Sequence, residues 1–248
     1  MLELIKRLML EIETDRDKEF FKRVWSIEPE IYKNRLRAIG FEKLNSILDA
    51  GCGFGQWSVR LAELNELVEG IELDETRVRL TKIISDYLKK KNLNVHTGSI
   101  TNLPFKTNTF DGIFSYSVIY MTDFRRSLNE FFRVLKPGGK LYFCTNDYGW
   151  YLFNLIENHN PARDFSPRKI ALETFWNTWK YYLTSNMMSG KEHILTKNNA
   201  LKILKKIGYR NIQWNKDGGI NFKKIPIESF YSKKKYGLTN VYEVLCEK

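Results

Sequence analysis

From Ser46 onward, short apolar runs alternate with stretches of helical periodicity, and this alternation constrains the fold more than any other feature of the sequence. The runs SILDA, LVEGIE, FDGIFS and KLYFCT have the length of buried strands. Strands separated by helical crossovers pair in parallel, so the pattern predicts an α/β fold around a parallel sheet. The predicted strands span residues 46–50, 67–72, 94–97, 110–115, 140–145, 211–214 and 240–246.

Two regions lie outside this alternation. Residues 1–45 carry apolar side chains at helical spacing and are predicted to form an N-terminal helical segment against the domain of residues 46–248. Residues 147–195 follow a predicted strand and hold ten aromatic side chains within 35 positions. Because open α/β sheets bind ligands beyond the carboxyl ends of their strands, this insertion is predicted to be a helical lid over a substrate. A small satellite core is the alternative.

A glycine-rich turn, Asp49-Ala50-Gly51-Cys52-Gly53-Phe54-Gly55, joins the first strand to the first crossover helix. Glycines let backbone N–H groups approach a ligand, and the helix N-terminus favours an anionic group. A dinucleotide fingerprint would need a third glycine at Gln56 or Ser58, so NAD fits poorly.

Glu72 ends the second predicted strand, in the sequence GIELD. A carboxylate at that position can accept two hydrogen bonds from the vicinal hydroxyls of a ribose. Together with the glycine turn it predicts a nucleoside ligand that needs no pyrophosphate. The alternative is an exposed carboxylate at a strand end.

Four motifs follow one another between residues 47 and 143: LDAGCGFG, GIELD, GSITNLPF with FDGIFS, and RVLKPGGKLYF. The series resembles that of class I S-adenosylmethionine-dependent methyltransferases, in the type 11 branch with small-molecule acceptors. The resemblance implies S-adenosylmethionine as cofactor. It also implies a Rossmann-like, mostly parallel sheet of seven strands in the order 3-2-1-4-5-7-6, with the last strand antiparallel.

The resemblance also implies a set of cofactor contacts. The turn residues would line the methionine moiety, Glu72 would bind the ribose, and Leu73 would lie against the adenine. Ser99 stands where the family often has an acidic residue near the adenine amino group, so the charge is missing there. The implied cofactor residues are Asp49, Gly51, Gly53, Gly55, Glu72, Leu73, Ser99, Ile100 and Ser115.

Methyl transfer from a sulfonium is an in-line displacement, for which the protein aligns the acceptor, excludes water and removes a proton where needed. The candidate catalytic residues are Tyr120, Asp147 and His193, with His159 as an alternative base. The sequence does not distinguish methylation at an oxygen, a nitrogen or a carbon atom of the acceptor. The candidate substrate contacts are Tyr116, Trp150, Tyr151, Arg163 and Trp176.

The net charge of +11 is unevenly distributed, because residues 1–150 carry net +2 and residues 151–248 carry net +9. With the aromatic lid, this favours a planar or anionic metabolite as acceptor, while a merely solvated basic surface is the alternative. An RNA methyltransferase is the main rival, although no NPPY or PC motif follows the fourth strand. A non-catalytic partner subunit is the other.

The remaining composition narrows the class of protein. No apolar run is long enough to cross a membrane, so no membrane insertion is expected. Three cysteines without a CxxC pair predict neither a disulfide framework nor a metal site. A cytoplasmic enzyme is expected, with a homodimer left open.

Overall fold

The computed structural model describes residues 1–184, 187 and 190–248, and a seven-stranded sheet lies at its centre. The predicted lid includes residues 185, 186, 188 and 189, which are outside the described residues. The strands are β1 (Ser46–Ala50), β2 (Leu67–Glu72), β3 (Leu93–Thr97), β4 (Phe110–Tyr116), β5 (Leu135–Asn146), β6 (Arg210–Lys216), β7 (Lys234–Lys235), β8 (Leu238–Thr239) and β9 (Val241–Glu247).

The strand order β3-β2-β1-β4-β5-β9-β6 confirms the predicted sheet topology. Strand β9 runs antiparallel to both β5 and β6, whereas the pairs from β3 to β5 are parallel. Strands β7 and β8 form a separate short hairpin, which the sequence analysis did not predict. The predicted seventh strand of the sheet is therefore β9, the ninth strand of the chain.

Helices cover both faces of the sheet. They are α1 (Leu2–Met9), α2 (Asp15–Ser26), α3 (Pro29–Ala38), α4 (Gln56–Leu64), α5 (Glu75–Tyr87), α6 (Phe124–Val134), α7 (Tyr148–Glu157), α8 (Pro167–Thr184) and α9 (Lys197–Ile207). Helices α1 to α3 form the N-terminal segment, and α7 and α8 belong to the segment predicted to be a lid. No helix among the described residues has the length and apolar character needed to cross a membrane.

Strand β5 is longer than predicted, because the turn Lys136-Pro137-Gly138-Gly139 is a bulge within it. Phe110 pairs with Leu135 and Gly112 with Lys140, so the intervening residues of β5 loop out between two paired stretches. Gly138 adopts a φ of +75°, and Pro137 has no N–H for the ladder. Pairing with β4 therefore continues on the N-terminal side of this turn.

A buried ionic network fastens α3 to the sheet. Arg35 is fully buried, and its Nη2 donates to Asp217 Oδ1 at 2.6 Å and to Glu243 Oε2 at 2.5 Å. The Tyr142 hydroxyl donates to the same Glu243 oxygen, and the Tyr116 hydroxyl donates to Asp217 Oδ1. The N-terminal segment is thus held by charges on β9 and on the loop after β6.

A second attachment, here named the lid clasp, joins the start of α2 to the loop between α7 and α8. The Asp164 carboxylate accepts the backbone N–H groups of Asp15 and Arg16 at 2.9 and 3.1 Å. The Arg16 guanidinium lies 4.1 Å from the ring centroid of Phe165, and Arg163 pairs with Asp15 at 3.4 Å. The N-terminal segment and the lid therefore meet directly.

Candidate active site

The three glycines of the turn all have positive φ, of +80° at Gly51, +57° at Gly53 and +77° at Gly55. Their surroundings differ. A Cβ on Gly51 or Gly55 would collide with the side chains of Val118 or Thr81, whereas one on Gly53 would have no atom within 4 Å. Gly51 and Gly55 thus permit close packing of the turn, while Gly53 borders open space.

Glu72 lies across the turn from Gly53. Its Oε2 accepts the Gly53 N–H at 2.9 Å, and its Oε1 accepts the N–H groups of Leu73 and Asp74 at 2.9 and 3.1 Å. A carboxylate offers about four lone-pair sites, so three are in use. Binding both hydroxyls of a ribose requires one N–H bond to be exchanged. With the open side of Gly53, this arrangement fits the nucleoside part of S-adenosylmethionine.

Asp49, the last polar residue of β1 before the turn, is buried. Its Oδ2 accepts the Ser58 hydroxyl at 2.6 Å, which ties β1 to α4. Burial raises the pKa of the Asp49 carboxyl to about 7, while the Ser58 hydrogen bond acts in the opposite direction and the nearby Glu72 charge adds to the rise. Its contact with the methionine moiety stays a prediction.

The other predicted cofactor residues follow the carboxyl ends of β2, β3 and β4. Leu73 is 72% exposed beside Glu72, which leaves an apolar side chain free to cover a flat ring. The Ser99 hydroxyl is 2.8 Å from that of Thr101, and Ile100 is buried. The Ser115 hydroxyl donates to the Ala50 carbonyl and so joins β4 to β1. These positions line the same sheet edge.

A cluster of polar side chains lies beyond the carboxyl ends of β4 and β5, where a methyl acceptor would bind. The Tyr151 hydroxyl donates to Glu192 Oε2 at 3.1 Å, and Asn146 lies beside that hydroxyl. Asn146 is 2% exposed, and its Oδ1 has no hydrogen-bond partner among the described residues. Burial, followed by the charge of Glu192, raises the pKa of Tyr120. Burial also raises the pKa of Glu192.

Of the three predicted catalytic residues, Tyr120 lies near Glu192, and His193 contacts Tyr120 through its backbone. The His193 N–H donates to the Tyr120 carbonyl at 2.9 Å, which holds the segment after α8 against the short 3₁₀ turn that contains Tyr120. The His193 ring is buried, with Nδ1 2.9 Å from the Lys191 carbonyl, so Nδ1 carries the proton and Nε2 the lone pair. Burial lowers the pKa of His193.

Asp147 has different surroundings. Its carboxylate accepts the Tyr148 N–H at 2.8 Å as the N-cap of α7, and the Lys197 N–H at the start of α9 also lowers its pKa. Burial is the larger influence and raises that pKa. These contacts account for the position of Asp147 as a cap, and its catalytic role stays a prediction.

The predicted substrate residues divide into two groups. Tyr116, Trp150 and Tyr151 lie inward, where the Trp150 ring stands 5.4 Å from that of Tyr231. Arg163 and Trp176 are not brought together with them. The Arg163 side chain is 91% exposed at the lid clasp, and Trp176 is 61% exposed on the outer face of α8. Neither reaches the polar group around Glu192.

Sequence reasoning missed Glu192, Arg35 and Asp217. Glu192 stands in the segment GKEHIL, which offers no periodicity from which burial could be inferred. Arg35 lies in a short charged helix, where an arginine normally faces water. Only the packing of distant segments brings Arg35 into contact with Asp217, and Glu192 into contact with Tyr151.

The sheet order, the glycine turn and the position of Glu72 are those that the resemblance to class I S-adenosylmethionine-dependent methyltransferases implies. Residues 48–143 match the family model described as "Methyltransferase domain". Both findings confirm the resemblance stated from the sequence motifs.

Known proteins show the same relationship. A demethylmenaquinone methyltransferase of Lactococcus lactis subsp. lactis (strain IL1403) is 35% identical over 100 residues, which are 39% of this chain and 40% of that protein. The chain thus matches two fifths of that relative's length. The methyltransferase in complex with the Haloferax volcanii Trm112 methyltransferase activator has a TM-score of 0.62 at 18% identity, over 94% of this chain and 92% of that one.

A geranyl diphosphate methyltransferase in complex with GPP and sinefungin has a similar fold, with a TM-score of 0.61 at 14% identity. The alignment covers 90% of this chain and 78% of that one. At these identities the solved structures establish a shared fold.

Proposed function

We propose that the protein transfers a methyl group from S-adenosylmethionine to a small-molecule acceptor. The observation that carries this proposal is the pairing of Glu72 with the open side of Gly53 at the carboxyl ends of β1 and β2. That pairing matches the needs of a nucleoside, and it lies within the residues that match the methyltransferase domain model.

The chain's own residues would act in positioning. S-adenosylmethionine supplies, when bound, an electrophilic methyl group on a cationic sulfonium. Glu72 fixes the ribose, and the exposed Leu73 covers the adenine. Tyr120 and Tyr151 face the acceptor side, where their rings exclude water and their hydroxyls orient a polar substituent.

The acceptor is proposed to carry a hydroxyl or amine that donates a hydrogen bond. The buried Oδ1 of Asn146, which has no partner among the described residues, and the Glu192 carboxylate are both hydrogen-bond acceptors, and both side chains lie beside the Tyr151 hydroxyl. Glu192 joins His193 as a candidate to receive the proton, whereas the raised pKa of Tyr120 keeps its hydroxyl protonated. An anionic acceptor has less support, since Arg163 is exposed and paired with Asp15.

Isothermal titration calorimetry with S-adenosylmethionine tests the proposal. Glu72→Ala removes the ribose acceptor and should weaken binding about 5- to 30-fold, the equivalent of roughly 1–2 kcal/mol. Glu75→Ala is the matched control, because Glu75 is an exposed carboxylate in the first turn of α5. It should bind as the wild type does. No binding by the wild type at about millimolar ligand would favour a non-catalytic partner subunit instead.

A further inference from the structure

Helix α8 exposes large apolar side chains to solvent. Its outward stripe repeats at helical spacing, with exposures of 55%, 61%, 53% and 66% for Leu172, Trp176, Trp179 and Leu183. Its buried side is more polar. The side chains that face the protein include Ala171, Thr174, Asn177, Thr178 and Tyr181.

This arrangement inverts the usual amphipathic pattern. A surface helix normally turns its large apolar residues to the core and its hydroxyl and amide residues to solvent. Here the Trp176 and Trp179 rings contact each other, 4.9 Å apart, at the surface. A contiguous exposed apolar patch of this kind indicates an external apolar environment that covers it.

The charges around the stripe indicate the chemistry of that environment. Lys169 lies one turn before Leu172, with 76% of its side chain exposed, and Lys180 is exposed one turn after Trp176. Glu173 is the acidic residue of the helix. The Arg125 guanidinium lies 5.3 Å from the ring of Tyr181, which adds a further cation near the end of α8. The segment 151–248 as a whole carries net +9.

We propose that the outward stripe of α8 docks on the surface of a membrane that contains anionic phospholipid. Indole rings and leucines enter the boundary between headgroups and acyl chains, while lysines extend to lipid phosphates. The exposed stripe runs from Leu172 to Leu183 along a helix of about 27 Å, so the helix would lie in the plane of the interface. A second copy of the chain is less suited, because it would bring the same excess of positive charge to the contact.

Vesicle co-sedimentation tests this proposal with the full chain. The wild type should pellet with vesicles of phosphatidylcholine and phosphatidylglycerol and bind much less to phosphatidylcholine alone. The double variant Trp176→Ser/Trp179→Ser should bind at least tenfold more weakly. Lys169→Gln/Lys180→Gln should weaken binding to the anionic vesicles, and added salt should do the same.

The control is Trp214→Ser/Phe222→Ser, which removes two aromatic side chains of 41% and 52% exposure elsewhere on the surface. It should bind vesicles as the wild type does. Thermal unfolding and S-adenosylmethionine titration of each variant establish that the fold and cofactor site are intact, so membrane binding and the proposed function are judged separately. The proposal would be overturned if the wild type did not bind anionic vesicles. It would also be overturned if the protein were a dimer that only the Trp176/Trp179 variant dissociates.

Discussion

The three glycines of the turn have different structural roles, which the motif alone does not distinguish. Gly51 and Gly55 have no room for a Cβ, because Val118 and Thr81 pack against them. Gly53 has the room but borders the ligand side, where its N–H meets Glu72. The sequence predicted the turn and its position, yet which glycine faces a ligand depends on residues far along the chain.

Gly53→Ala should therefore weaken S-adenosylmethionine binding, because the new methyl group enters the space that the cofactor needs. Gly138→Ala is a close control, since Gly138 also has a positive φ, +75°, and open surroundings. Both variants place alanine in a left-handed conformation and should lose about 1–2 kcal/mol of unfolding free energy. Calorimetry should show weaker cofactor binding for Gly53→Ala alone, and equal binding by both variants would contradict this.

Asp49 should make stability depend on pH. Its pKa is about 7 in the folded protein, against 3.8 for an ordinary aspartate. Between about pH 4 and pH 7 the folded state keeps a proton that the unfolded chain releases, so stability falls as pH rises and levels off above 7.

Asp49→Asn does not titrate and preserves an acceptor for Ser58. Relative to wild type, the variant should gain roughly 1 kcal/mol of unfolding free energy per pH unit across that interval. Urea denaturation of both proteins at a series of pH values measures the difference. A difference that stays constant with pH would show that Asp49 is ionised throughout.

Among the elements, the parallel strands and crossover helices follow closely from sequence periodicity, because each buries one face or both faces locally. The hairpin β7–β8 and the N-terminal extension of β5 do not, since their pairing depends on distant partners. The attachment of α3 is similar. Its helical pattern was readable, but the carboxylates that receive Arg35 lie 182 and 208 positions away.

Arg35→Met should lower the free energy of unfolding by about 3–5 kcal/mol, because Asp217 and Glu243 would remain buried without their cation. Arg37→Met, on the same helix, removes a partly exposed arginine that pairs with Glu30 and should cost less than about 1 kcal/mol. Denaturant unfolding compares the two. Adding Asp217→Asn and Glu243→Gln to Arg35→Met should restore part of the loss, and similar losses for both arginine variants would contradict the network's role.

Across the whole molecule, the positive charge is concentrated in residues 151–248, which carry net +9 of the total +11. The sheet topology was predictable, because the motif series lies within residues 47–143 in the order of the strands that it accompanies. The proposed acceptor side was not, because Tyr120, Tyr151 and Glu192 come from three separate segments. Arg163, the lid cation expected to reach the acceptor, instead pairs with α2.

The charge still makes a prediction about nucleic acid. If the acceptor is a small molecule, binding to mixed RNA should be weak at physiological salt and should fall steeply as salt rises, because only phosphate contacts contribute. Filter binding over a salt series measures both. Tight binding that resists salt would favour the RNA methyltransferase.

The lid clasp has a consequence for the order in which parts of the protein fold. Asp164 lies 149 positions after Asp15, whose N–H it accepts. Arg35 binds Glu243, which lies 208 positions after it. Contacts of such large sequence separation form late, because closing long loops costs entropy before any contact is gained. The contacts of Asp164 and Arg35 are therefore among the last to form, and a chain stopped before Glu243 would lack one of the two carboxylates that receive Arg35.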